Sequence, residues 1–290
     1  MAKKNAQAAT LGELTAGHFK GSVEGLRRLV SSHPSVRHII DVVEHLQRRP
    51  YTTNVVFGGE PGTGKEGLAH TIHELMHPDG APLVSISTSG RNEAELATEL
   101  FGTAPHQKGE RPTDGAVVEA DGGTLVFDEI IGLSPTLQRH LLELVKRGAY
   151  RRIGEERERR VQLNVFVISD GNLLAEVAAG RFRHDLYHKL ARLDLTLPPL
   201  RERTEDVEAA AVWMARRVLS TRGLPSEVAV EPEPATVTMR KDAIDALRQH
   251  RWPGNFRELE LVVERALLLY SDGTQVTAAD ISKALATGRG

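Results

Sequence analysis

The chain has 290 residues, 40% of them apolar and 26% charged, with a net charge of −2, so it is long enough to bury one large core or a large and a small one. The charge balance excludes the broadly basic surface of a non-specific nucleic-acid binder. The absence of cysteine excludes disulfide frameworks, thiolate nucleophiles and cysteine-held metals, and with neither a signal-like N-terminus nor a run near the roughly 18 apolar residues of a membrane span, a cytoplasmic protein is expected.

In chain order, residues 1–25 read as a mobile lead. Pro34 opens a segment in which Val36, Ile39, Ile40, Val43 and Leu46 recur at helical spacing. Residues 52–58, "TNVVFGG", form a short apolar run ending in glycine, the mark of a buried strand. A helix from Gly64 to about Met76 follows, then a strand over 82–87, a helix over 92–100 and a strand over 123–129. Residues 134–148 are a punctuated helix, with Ser134 as cap, Pro135 at the first position and Gly148 at the end. A charged hairpin over 150–163 leads to a fourth strand, 164–169. Strands alternating with helices imply a parallel sheet covered on both faces. From about Thr204 only helices are expected, over 204–221, 239–250, 255–270 and 277–286, with capping-box pairs Asn255/Glu258 and Thr277/Asp280 and a Pro-rich loop after 223. The fold class is α/β: a P-loop parallel-sheet domain over 26–203 and a small all-helical lid over 204–290.

The chemistry starts at "GGEPGTGKE", residues 58–66, where Gly59, four residues (Glu60, Pro61, Gly62, Thr63), Gly64 and Lys65 lie between a strand and a helix. This is the Walker A context: glycines let the backbone curl its N–H groups around phosphates, and the lysine reaches the outer phosphates. Position 66 is Glu, where a magnesium-ligating Ser or Thr is usual. Sixty residues on, Asp128 and Glu129 end an apolar strand, placing one carboxylate to hold magnesium and the next to orient an attacking water. ATP and Mg2+ are the expected ligands. "HELMH", residues 73–77, satisfies the H-E-x-x-H zinc pattern. It occupies the tail of the phosphate-loop helix, where His70 and His73 are expected to be helix-surface or packing residues, and no third ligand is apparent.

Over residues 28–286 the chain resembles the AAA+ domain of sigma-54-dependent transcription activators, the bacterial enhancer-binding proteins. The resemblance rests on "GEPGTGKE", "ELFG", "ADGGTLVFDEI", "LSPTLQRHLLELVKRGAYRRIG", "GRFRHDLYHKL", "LPPLRER" and "WPGNFREL". It implies a ring, usually a hexamer, with ATP between subunits and hydrolysis turned into remodelling of a protein partner in transcription. It implies that Arg183 is an arginine finger, of a kind worth roughly 10³–10⁵ in rate in related nucleotidases, that Lys189 stands for a second finger, and that Arg257 senses the outer phosphate. It makes Ser169 the sensor hydroxyl, followed by Asp170 where asparagine is usual, and sets Ser87 where an asparagine restrains the catalytic glutamate.

The largest departure follows "ELFG". The family carries an aromatic-tipped loop there that engages sigma-54, whereas residues 103–115 contain no aromatic. Sigma-54 RNA polymerase is the partner the resemblance implies, and the loop without its aromatic tip leaves a different protein partner open beside it. No receiver domain, helix-turn-helix or other DNA-binding module is expected within these 290 residues. Two functions follow: an ATP-hydrolysing ring that remodels a partner through the 103–115 loop, or a nucleotide-gated scaffold with little turnover, suggested by the changes at Ser87, Asp170 and Lys189.

Overall fold

The computed structural model describes residues 33–49, 51–105, 112–231 and 235–287. The expected N-terminal lead and the middle of the 103–115 loop lie outside the described residues. In chain order the elements are α1 (Pro34–Arg48), β1 (Val55–Gly58), α2 (Lys65–Met76), β2 (Leu83–Ser87), α3 (Glu93–Phe101), α4 (Ala116–Glu119), β3 (Thr124–Asp128), α5 (Pro135–Arg147), β4 (Ala149–Tyr150), β5 (Arg159–Arg160), β6 (Asn164–Ser169), α6 (Leu173–Ala178), α7 (His184–Leu190) and β7 (Leu193–Thr196). A 3₁₀ turn at Leu200–Glu202 leads to α8 (Asp206–Thr221), β8 (Val228–Val230), β9 (Val237–Met239), α9 (Lys241–Gln249), α10 (Asn255–Arg265), a π turn (Ala266–Tyr270), β10 (Gln275–Val276) and α11 (Ala278–Ala286). Contacts sort these residues into two compact units: one takes 45–59 and 72–196, the other the residues up to Glu44, Glu60–Thr71 and those from Leu197 on.

The first unit is built on a five-stranded sheet of order β2-β3-β6-β1-β7, parallel at every pairing. Its inner strands are apolar without alternation because both faces are covered: β6 is buried at all six positions and β3 at its first four. On one face Val56, Leu125, Phe127, Val165 and Val167 pack with Leu96, Leu100, Val117, Leu141 and Leu186 from the helices. On the other, Phe57 and Phe166 meet edge to face at 5.4 Å. α5 begins and ends as its residues dictate: the Ser134 side chain accepts from the Leu137 N–H, Pro135 follows, and Gly148 closes the helix in the left-handed region. The charged hairpin is the antiparallel pair β4–β5. α4, α6, α7 and β7 have no counterpart in the chain reading, being four to seven residues long and too short for periodicity to register.

The second unit packs α8 to α11 around Val207, Met214, Ile244, Leu247, Trp252, Phe256, Leu259 and Ile281, all buried. The Trp252 indole N–H donates to the Leu247 carbonyl at 2.8 Å, satisfying a buried donor. The Thr277/Asp280 capping box is present. Two details differ from the sequence reading. A three-stranded sheet, β10-β9-β8, occupies ground read as loop or helix end, because strands of two or three residues leave no alternation to detect. The helix expected over 255–270 ends as α at Arg265 and finishes in a π turn.

Candidate functional site

The phosphate loop leaves β1 at Gly59, whose φ of +137° is open to glycine alone. Gly62 is the tightest point: φ is +77°, and a Cβ there would stand 2.5 Å from the Gly254 carbonyl oxygen and 3.1 Å from Arg257 Cβ. Lys65 and Glu66 open α2; Lys65 is buried and Glu66 exposed. The Lys65 ammonium donates to the Glu60 carbonyl at 2.8 Å, as does the Thr63 hydroxyl at 2.8 Å. The Glu60 carboxylate takes a two-pronged contact from Arg201, at 2.9 and 2.7 Å, and this hydrogen-bonded pairing holds it below the usual carboxylate range. Arg257 is exposed on the first turn of α10, beside Gly62.

Asn255 corrects the sequence reading. It does not cap α10. Gly254 occupies the cap position, and its N–H is taken by the Glu258 carboxylate at 2.8 Å. Asn255 is fully buried with a φ of +50°, and that turn carries its amide away from the helix end and into the phosphate loop, reaching the Pro61 carbonyl at 2.9 Å.

In the sheet unit the strand register sets Ser87 level with Asp128, Asp128 level with Ile168, and Gly58 level with Ser169, so these residues share the carboxyl edge of the sheet, where open α/β sheets bind ligands. Asp128 is half-buried. Glu129, next in the chain, has a φ of +62°, an uncommon conformation for a residue with a side chain. Three bonds hold it there: its N–H donates to the Ile168 carbonyl at 3.0 Å, its carboxylate accepts the Asp170 N–H at 2.7 Å, and its carbonyl accepts from the Thr88 hydroxyl. Thr88 and the Asp170 N–H are the partners that sequence reasoning missed. The Ser169 hydroxyl is buried and donates to the Gly171 carbonyl at 3.0 Å. Ser87 lies beside Asp128 on the neighbouring strand.

Arg183 precedes α7. Its N–H donates to the buried Gln138 side chain at 2.9 Å, and the same Gln138 donates to the Leu133 and Arg181 carbonyls. The guanidinium, 44% exposed, forks onto Asp185 at 3.0 Å on both prongs, raising the arginine and lowering the carboxyl. Lys189 is half-buried on α7, and its carbonyl accepts from Asn54 at 3.0 Å. The 103–115 loop is fastened at its base. Thr103 and Thr113 exchange backbone bonds of 3.2 and 3.1 Å and join hydroxyls at 2.7 Å, Thr103 also bridges to Ile153, and Arg152 pairs with Asp114.

The zinc pattern is absorbed by packing. The His73 ring contacts the Thr124 hydroxyl at 2.8 Å and the Ala81 carbonyl at 3.2 Å, while His77 contacts Asn164 at 3.3 Å. Among the described residues no cluster of three or more His, Asp or Glu could hold a metal ion, and no helix is long and apolar enough to cross a membrane.

Residues 29–196 match the model of the sigma-54 interaction domain, and residues 201–290 that of the AAA+ ATPase lid domain. The chain is 34% identical over 256 residues to a Nif-specific regulatory protein of Azotobacter vinelandii, covering 86% of the chain and 46% of that protein. It is 34% identical over 264 residues to the transcriptional regulatory protein ZraR of Escherichia coli K12, covering 89% and 56%. It therefore spans about half the length of the curated relatives it matches. Among solved structures, NtrX from Brucella abortus in complex with ADP superposes with a TM-score of 0.73 at 26% identity, over 88% of the chain and 54% of NtrX. The NtrX complex with ATP superposes equally well.

Proposed function

The chain belongs to the sigma-54 interaction domain family, and from that premise we propose that it binds and hydrolyses ATP as a ring of its own copies and uses the cycle to remodel a protein partner in transcription. The observation that carries hydrolysis is Glu129, fixed by three bonds at the carboxyl edge of the sheet directly after Asp128. A carboxylate so placed accepts a proton from water as the water attacks the γ-phosphorus. The bond to the bridging oxygen breaks, and ADP and phosphate leave. Asp128, half-buried at the same edge, would hold Mg2+, a site type that needs only one or two carboxylates; the ion would neutralise phosphate charge. Lys65 would exchange its bond to the Glu60 carbonyl for a phosphate oxygen. Arg183, exposed and paired with its neighbour Asp185, suits a finger that enters another copy's site.

The 103–115 loop is the proposed contact with the remodelled protein. Lacking an aromatic tip, it is expected to take a partner other than sigma-54. The test is turnover and light scattering of the purified chain with and without ATP. Steady hydrolysis that Lys65→Ala abolishes, together with ATP-dependent growth in mass, is the expected result. A chain that stays monomeric and binds no nucleotide overturns the reading; one that binds ATP and assembles without turnover returns it to a nucleotide-gated scaffold.

A further inference from the structure

Four consecutive carbonyls of the phosphate loop accept hydrogen bonds, and three of the donors come from beyond Leu197. The Glu60 carbonyl is served within the loop by Lys65 and Thr63. The Pro61 carbonyl accepts the Asn255 side-chain amide at 2.9 Å, the Gly62 carbonyl accepts the Phe256 N–H at 3.0 Å, and the Thr63 carbonyl accepts the Arg203 guanidinium at 2.6 Å. The Glu60 carboxylate is gripped in the same way, by Arg201 and by the Asn255 amide at 3.2 Å.

These donors are built for one position. Asn255 is fully buried and its oxygen accepts the Leu200 N–H at 2.7 Å, so the amide can face the loop only with its nitrogen. Arg203 is 2% exposed, lies 4.6 Å from the Phe256 ring centroid and 3.9 Å from Asp206, and keeps a buried Nε without a hydrogen-bond partner. Burying such a cation is expensive, which argues for a task beyond cohesion. In a planar trans peptide the C=O and the next N–H point in opposite directions. Holding the carbonyls of Pro61, Gly62 and Thr63 toward these donors therefore turns the N–H groups of Gly62, Thr63 and Gly64 the other way; that of Thr63 rests 3.4 Å from the Glu60 carbonyl. They belong to the run of backbone N–H groups with which a phosphate-binding loop cradles its anion.

We propose that Asn255, Arg201 and Arg203 are positioning residues that latch the phosphate loop into its anion-binding shape, with Glu60 serving as the latch's counterpart in the loop and not as a nucleotide ligand. The inference rests on the nucleotide reading above. It assigns these residues to the affinity for the diphosphate shared by ADP and ATP, and leaves the hydrolytic step at saturating ATP nearly unchanged.

The experiment is equilibrium binding of a fluorescent ADP analogue to the whole chain, with thermal melting in its absence and kcat and KM for ATP alongside. Asn255→Asp places a carboxylate against Glu60 and the Pro61 carbonyl; ADP affinity is expected to fall at least about 10-fold, with KM for ATP rising in parallel. Adding Glu60→Gln supplies a donor to the new carboxylate but gives up one prong of the Arg201 contact, so a partial recovery of ADP affinity is expected, a rescue that a general loss of packing would not show. Arg203→Lys, which keeps the charge and loses the fork, serves if Asn255→Asp does not fold, and is expected to weaken ADP binding several-fold. Wild-type affinity in Asn255→Asp or in Arg203→Lys overturns the latch. A wild-type chain that binds no ADP overturns the nucleotide reading itself, and is seen before any variant is made.

Discussion

Glu129 is held in a left-handed backbone conformation by its neighbours, so changing its charge alone separates chemistry from shape. Glu129→Gln keeps an acceptor oxygen for the Asp170 N–H but not a base. It is expected to bind ATP as the wild type does and to hydrolyse it at least roughly 100-fold more slowly, measured by single-turnover kinetics. Asp206 makes a second prediction. Burial pushes its carboxyl up to about 6, against the opposing pull of Arg203, while burial lowers Arg203 to about 10. A carboxyl whose folded value lies above its unfolded one binds more protons when folded, so its contribution to stability falls as pH rises from about 4 to about 6 and is flat above. At about 1.4 kcal/mol for each tenfold change in proton affinity, the loss is on the order of 3 kcal/mol. Melting curves of wild type and Asp206→Asn across that window should diverge in this sense; parallel curves would refute it. At this scale the sequence was legible where a residue's type dictates one act. Lys65, Asp128 and Glu129 stand out by spacing alone. Asn255 misled because asparagine before a helix is a common cap, and only its positive φ redirects the amide. Thr88 carried no signal, since a threonine after a strand is ordinary.

Among the elements, the long apolar strands and the punctuated helix α5 could be placed from the sequence because burial on both faces and end-capping leave patterns several residues wide. The strands β8, β9 and β10 could not, since each spans only two or three residues. The 103–115 loop is of an intermediate kind. Its motif neighbours were clear, but the clasp of Thr103 on Thr113 and on Ile153, with the Arg152–Asp114 pair beside it, joins positions up to fifty residues apart that share no pattern. Because the clasp is made by residues flanking 106–111, replacing 106–111 with a Gly/Ser segment of equal length is expected to leave the melting temperature within about 2 °C and ATP turnover nearly intact, while partner capture in the presence of a trapped ATP analogue is lost. A large fall in melting temperature would place structural weight in the replaced segment.

For the molecule as a whole, the proposal divides the reaction between copies. Arg183→Ala removes an exposed side chain and should leave the fold and ADP binding unchanged while cutting turnover roughly 100-fold or more. Glu129→Gln should be inactive for a different reason. Mixed in equal amounts, the two variants are expected to regain part of the wild-type rate, because a ring of both contains sites with an intact glutamate facing an intact finger. Additive inactivity in the mixture would mean that Arg183 acts within its own chain or not at all.

The bond from the Phe256 N–H to the Gly62 carbonyl has a spectroscopic consequence. That single amide belongs to a lid helix yet can exchange with solvent only when the phosphate loop lets go of it. Its hydrogen-exchange rate is therefore a clock for loop opening that can be read from outside the nucleotide site, and it should slow when ADP is added and quicken in Asn255→Asp.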